Sequence, residues 1–229
     1  PGPAVRAGAL KRLVHPAFAA ELAPVSMAAP GWPGTLGEPI SRSRTGTVHR
    51  IRLPLAGQEA VVFVKVFRNR NALGAAKSLV KRSRARFAWE GAHGLADRGF
   101  QAAVPLVFEE RRVLGVHVSS VFACREVPGR PWLAAFESEG LDLVARTAAW
   151  IGRLHRAGVD HRALAPKNLF VREDTIVPIE YDRVRFGRRI PRSRRDAALA
   201  LFLKNLRSRL GPEDIERARA AHLEASADR

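Results

Sequence analysis

GVDHRALAPKNLFV, residues 158–171, is the stretch on which the fold turns. Its middle is polar and turn-rich, and it sits between two regular segments. Upstream, DLVARTAAWIGRLHRAG (142–158) places Leu143, Thr147, Trp150, Ile151 and Leu154 on one helical stripe and stops at Gly158. Downstream, NLFV (168–171) and TIVPIEY (175–181) read as two short strands.

Two closing helices follow, RRDAALALFLKNLRSRL (194–210) and PEDIERARAAHLEA (212–225). The second carries Pro212 and Glu213 in its first turn, where a helix start favours them. Before residue 142 the pattern differs. GTVHRIRLPL (46–55) alternates imperfectly through Val48, Ile51, Leu53 and Leu55, turns at AGQE, and returns as AVVFVKVF (60–67). Residues 72–100 have a helical period, with Leu79, Ser83, Phe87, Glu90 and Gly94 on one stripe. VPLVFEE and LGVHVSSVFAC form a second strand pair around RRV (111–113). REVPGRPW (125–132) breaks the pattern and is the expected hinge. The Pro-, Gly- and Ala-rich residues 1–37 are expected to hold short helices on either side of Pro16. The sequence starts at Pro1 rather than Met, so a preceding segment is left open. The organisation expected is an N-terminal extension (1–37), a lobe of small antiparallel sheet plus one helix (38–127), and a mostly helical lobe (128–229).

The net charge is +17, carried mostly by arginine and clustered in KSLVKRSRAR and RVRFGRRIPRSRR. Such a balance calls for an anionic partner. Nucleic acid is disfavoured, because a single tyrosine and no recognisable motif leave few stacking platforms. Cys124 is the only cysteine, which excludes an internal disulfide and suits a reducing cytoplasm. No apolar run reaches the roughly 18 residues of a membrane span.

Particular residues carry the chemistry. Lys65 interrupts VVFVKVF, where an ammonium needs a partner. Glu90, on the next helix, is a carboxylate that needs a cation. Strand lysine followed by helix glutamate is the order of the phosphate-gripping pair in kinase folds. The kinase catalytic loop is H-R-D-L-x-x-x-N. His161, Arg162, Leu164 and Asn168 fit that frame, and Ala163 stands where the aspartate belongs. In PIEYDR, Glu180 takes the place of the metal-binding aspartate. SRSRTGTV (41–48) sits where a phosphate-covering loop belongs, with Gly46 and Thr47 as its candidate contacts.

With these residues assembled, the chain resembles the bacterial lipopolysaccharide core kinases, the Kdo and heptose kinase group of the protein-kinase-like superfamily. VFVKVFR, KRSRARFAWEGAHGLADRGFQAAVPLVF, LHRAGVDHRALAPKNLFV and VPIEYDRVRF carry the resemblance over about residues 40–205. It implies a two-lobed α+β fold and MgATP-dependent phosphorylation of a sugar hydroxyl on a lipid A–core glycolipid, at the cytoplasmic face of the inner membrane. It also implies roles: Lys65 on the α/β-phosphates, Glu90 orienting Lys65, Gly46 and Thr47 near the nucleotide, Asn168 and Glu180 on Mg²⁺. The acceptor hydroxyl would face position 163, beside His161 and Arg162. Ala163 departs from the family and removes a contribution of order 10² to 10⁴ in rate. That leaves two expectations: an impaired kinase, or a non-catalytic module binding a protein partner or an anionic membrane. Whether Ala163 is natural or an engineered substitution stays open.

Overall fold

A computed structural model describes residues 9–26, 32–44, 46–68 and 82–227. Its contacts divide the chain into two units. The first holds residues 1–90 and 103–126, the second residues 91–102 and 127–229. The last of the three boundaries, between residues 126 and 127, falls inside REVPGRPW.

The first unit is built on a six-stranded antiparallel sheet, in the order β1-β5-β6-β4-β3-β2. Its strands are β1 (Ala9–Val14), β2 (Ser41–Ser43), β3 (Gly46–Leu55), β4 (Gln58–Arg68), β5 (Pro105–Val113) and β6 (Val116–Arg125). Strand β4 explains the run VVFVKVF. Ala60, Val62, Val64 and Val66 point to the core, while Phe63 and Lys65 take the opposite, half-buried face. The imperfect alternation of β3 has a similar cause. His49 occupies the inward position with Leu53 and Leu55, so Val48 faces away from it. The hairpin between β3 and β4 turns on two residues, Ala56 and Gly57, both with positive φ. That is the twist-compatible form of a two-residue hairpin.

Four expectations are corrected here. The stretch ahead of Pro16, expected as a helix, is strand β1, which pairs with β5 from Ala9↔Arg112 to Val14↔Val107. Arg12 stands opposite Glu109 and binds its fully buried carboxylate at 2.8 Å. Leu22, Val25 and Leu36 enter the same core as β4, so this segment is part of the lobe. The turn placed at RRV lies instead at Leu114–Gly115, both with positive φ, and RRV completes β5. Helix α1 (Arg84–Ala96) buries Ala85, Ala88, Ala92 and Leu95, whereas Phe87 and Glu90 on the expected stripe are half-buried. Leu79 lies outside the described residues.

The second unit is mostly helical: α2 (Trp132–Arg156), α3 (Arg192–Lys204) and α4 (Pro212–Ser226). The stripe Leu143, Thr147, Trp150, Ile151 and Leu154 is buried along α2, as its period predicts. Gly140 breaks the helix geometry with φ 58°. The Trp132 indole spans that break and donates to Thr147 Oγ1 at 2.8 Å. Gly152 allows α4 to approach α2, since a Cβ there would overlap the His222 carbonyl oxygen. Short strands carry the connecting loops: β7 (Arg130–Pro131), β9 (Leu169–Arg172) and β10 (Thr175–Pro178) in one sheet, β8 (Val159–His161) and β11 (Val184–Phe186) in another. Among the described residues no helix is long and apolar enough to cross a membrane.

Candidate functional site

In the second unit the loop 161–168 is held by its own backbone. Strand β8 ends at His161, opposite Val184 of β11. The next amide, Arg162 N–H, donates to the Arg183 carbonyl at 3.1 Å. Ala163 N–H donates to His161 Nδ1 at 3.2 Å, and Asn168 Nδ2 donates to the Ala163 carbonyl at 2.9 Å. Both backbone groups of position 163 are therefore fixed by residues of the motif. The His161 ring is fully buried, and this desolvation pushes it down to about 4 against the pull of Asp182 and Asp160. It is neutral at physiological pH. Its proton sits on Nε2, because Nδ1 accepts.

Glu180 reaches the same neighbourhood through the β9–β10 hairpin. Ile179 N–H donates to the Asn168 carbonyl at 3.0 Å, which brings the residue before Glu180 against Asn168. Glu180 then heads the short turn Tyr181–Arg183. This turn lies against α1, where Gly91 and Gly94 leave no room for side chains: Cβ atoms there would overlap the Tyr181 carbonyl and the Phe186 ring.

The two carboxylates flanking the loop are engaged. Asp160 Oδ2 accepts from Arg162 Nε at 2.8 Å and lies 3.8 Å from Arg194 Nε. Asp182 is 4% exposed, faces the His161 ring, and lies 3.9 Å from Arg183. Neither stands in the position of the missing aspartate. The frame of the motif predicts His161, Arg162, Ala163 and Asn168 together, and the structure groups them. Arg194, from α3, carries no such signal, because only tertiary packing brings it to Asp160.

In the first unit the candidates are placed as follows. Lys65 stands between Val48 of β3 and Phe122 of β6, diagonal to Cys124. Burial pushes the Cys124 thiol up to about 12, with the Lys65 ammonium pulling the other way. Glu90 accepts from Arg82 at 2.9 Å and from Arg86 at 2.9 Å. Thr47 Oγ1 donates to His49 Nε2 at 3.0 Å, and His49 Nδ1 donates to the Gly37 carbonyl at 3.0 Å. Gly46 is paired into β3, and a Cβ there would overlap the Val66 carbonyl oxygen. The glycine is thus required by strand packing.

The sheet-plus-helix unit, the helical unit and the H-R-x-L-x-x-x-N loop define a protein-kinase-like fold. Similar solved structures share it: WaaP in complex with acyl carrier protein (TM-score 0.62, 20% identity, 82% of this chain and 78% of that one). The Rio2 kinase–ADP/Mg²⁺–phosphoaspartate complex from Chaetomium thermophilum matches at 0.56, with 15% identity over 84% and 62%. The amicoumacin kinase hAmiN, in complex with AMP-PNP, Ca²⁺ and Ami, matches at 0.58, with 11% identity over 81% and 70%. No curated protein sequence matches the chain. Residues 65–221 match the lipopolysaccharide kinase (Kdo/WaaP) family, and the chain belongs to that family.

Proposed function

We propose that the chain binds MgATP and is built to phosphorylate a sugar hydroxyl on a lipid A–core glycolipid, with transfer slowed by the absence of a carboxylate at position 163. The observation that carries this is the loop itself: Asn168 and His161 hold the backbone of Ala163 by hydrogen bonds, yet the side chain held there has no proton acceptor. In this reading Lys65 binds the α/β-phosphates, Glu90 orients it, and Gly46 and Thr47 contribute near the phosphates. Thr47 and Glu90 would first have to share the partners they now hold.

The donor set suits magnesium, which takes few protein oxygens and keeps waters and phosphates. With Nδ2 of Asn168 given to Ala163, its Oδ1 is the atom available to a cation, and Glu180 supplies a carboxylate. Mg²⁺ there would neutralise phosphate oxygens. The arginines near the loop, Arg162, Arg183 and Arg194, add positive field for an anionic acceptor.

The test is calorimetric titration of MgATP into the protein and into Lys65→Met. Saturable binding that weakens at least about tenfold in the variant supports the nucleotide role. Binding equal in both proteins, or none at millimolar concentration, sinks it.

A second reading, a non-catalytic kinase-fold module on a partner protein or anionic membrane, is favoured by a groove of about 450 Å³ between α3 and α4. Arg192, Arg195, Arg207 and Arg219 rim it over Leu203 and Ile215. The solved WaaP complex with acyl carrier protein supports a protein partner for this reading. The membrane form places the chain in the cytoplasm, peripheral at the inner membrane.

A further inference from the structure

The last turn of α2 and the turn after α1 line a second cavity, of about 510 Å³ and open to solvent, that holds none of the functional candidates named above. Arg98, Arg153 and Arg156 stand in its wall with Gln101, Trp150 and Thr175. Among the described residues, no carboxylate pairs with any of the three arginines. Arg98 is already set in place. Its Nε donates to the Ala157 carbonyl at 3.2 Å, its Nη1 donates to the Gly94 carbonyl at 3.0 Å, and its guanidinium lies 4.3 Å from the Phe186 ring centroid. Arg153 and Arg156 are one helical turn apart. Partial desolvation and the Arg156 charge together hold Arg153, an exposed residue, below its ordinary value. A cation at a helix C-terminus answers the helix dipole. Three guanidiniums with no carboxylate partner, one of them from another element, exceed that need.

Two further groups await partners. Trp150 is 2% exposed and its Nε1–H has no acceptor, while the buried Gln101 Oε1 has no donor. Buried polar groups are ordinarily satisfied. Both residues line the cavity, and a bound polyol would supply the acceptor and the donor that these atoms lack. The wall therefore offers cations for an anion, and an unused donor and acceptor for hydroxyl groups. The cavity is also far roomier than a lone phosphate requires, and is of the size of small-molecule sites.

We infer that this cavity binds a phosphorylated sugar, the phosphate on Arg98, Arg153 and Arg156 and the hydroxyls toward Gln101 and Trp150, as a site separate from the 161–168 loop. The preset Arg98 lowers the ordering cost of binding.

The experiment follows the indole N–H signals of the full chain by NMR, with Trp150→Phe identifying one signal among four tryptophans. Glucose 6-phosphate, glucose and inorganic phosphate are titrated separately. The Trp150 signal should move saturably with glucose 6-phosphate, at least about tenfold tighter than with either fragment. The double variant Arg153→Gln/Arg156→Gln changes only exposed side chains and should lose at least about tenfold in affinity. Lys65→Met should bind as the parent does. Competition by phosphatidylinositol 4-phosphate vesicles supports a lipid headgroup as the source, and binding without it supports a soluble sugar phosphate. Inorganic phosphate binding as tightly as glucose 6-phosphate overturns the sugar assignment. The site itself is overturned by an unmoved signal at about 20 mM ligand, by a double variant that binds like the parent, or by a loss in Lys65→Met.

Discussion

Position 163 is the point at which one side chain separates the two functional readings. Its amide and carbonyl are both tied within the motif, so a carboxylate introduced there starts from a fixed backbone. Ala163→Asp should raise phosphotransfer from MgATP by about 10² to 10⁴, the range of a positioned general base. MgATP affinity should change by less than about threefold. Radiolabel transfer to a lipid A–core acceptor measures the first, calorimetry the second. A variant that binds nucleotide and still transfers nothing moves the protein into the non-catalytic class. The neighbouring carboxylates give little relief in the parent. Asp160 is bound to Arg162, and Asp182 is enclosed beside His161.

At the scale of elements, α1 and α2 carry the sharpest expectations. Gly91→Ala puts a methyl group into the Tyr181 carbonyl and should cost about 1–3 kcal/mol in a denaturation series. Gly34→Ala, which meets nothing within 4 Å, is the control and should cost far less. Acid should loosen the second unit. The rings of His155 and His222 are buried and bonded at 3.0 Å, and desolvation pushes His155, like His161, down to about 4. Unfolded histidine protonates near 6.5. The unfolded chain therefore holds more protons below that pH. Stability from these rings is complete above about 6.5, falls as pH drops toward about 4, and levels off below. Thermal midpoints across that range should follow this course, with a shallower slope in His222→Gln. The elements legible in the sequence were those whose pattern is local: the β3–β4 hairpin, the α2 stripe and the loop 158–168. Strand β1 was not, because ALKRLV makes sense only opposite β5, about a hundred residues later. The buried face of α1 was missed because Ala85, Ala88 and Ala92 carry little hydrophobic signal. The Leu114–Gly115 turn was missed because leucine rarely adopts positive φ. In the candidate site, the frame of the motif gave the grouping around Ala163, while the arginine partners of Asp160 and Glu90 depended on packing.

For the whole molecule, a net charge of +17 makes any anionic surface a partner whose grip depends on salt. Raising salt from about 0.1 to 1 M shortens the screening length from about 10 to 3 Å. Co-sedimentation with phosphatidylglycerol vesicles should be strong at the lower salt, lost at the higher, and weak with phosphatidylcholine throughout. Retention at high salt would mean that apolar insertion holds the protein to the bilayer. The pairing of β1 with β5 also bears on how the chain is made. A ribosome releases Ala9–Val14 long before Pro105–Val113, roughly 5–20 s earlier at about 5–20 residues per second. During that interval the carboxylate-binding Arg12 has no Glu109 to meet, and the strand's backbone groups are open to other chains. The newborn chain thus passes through a stage in which β1 has no partner strand, and overproduction at high temperature should penalise it there.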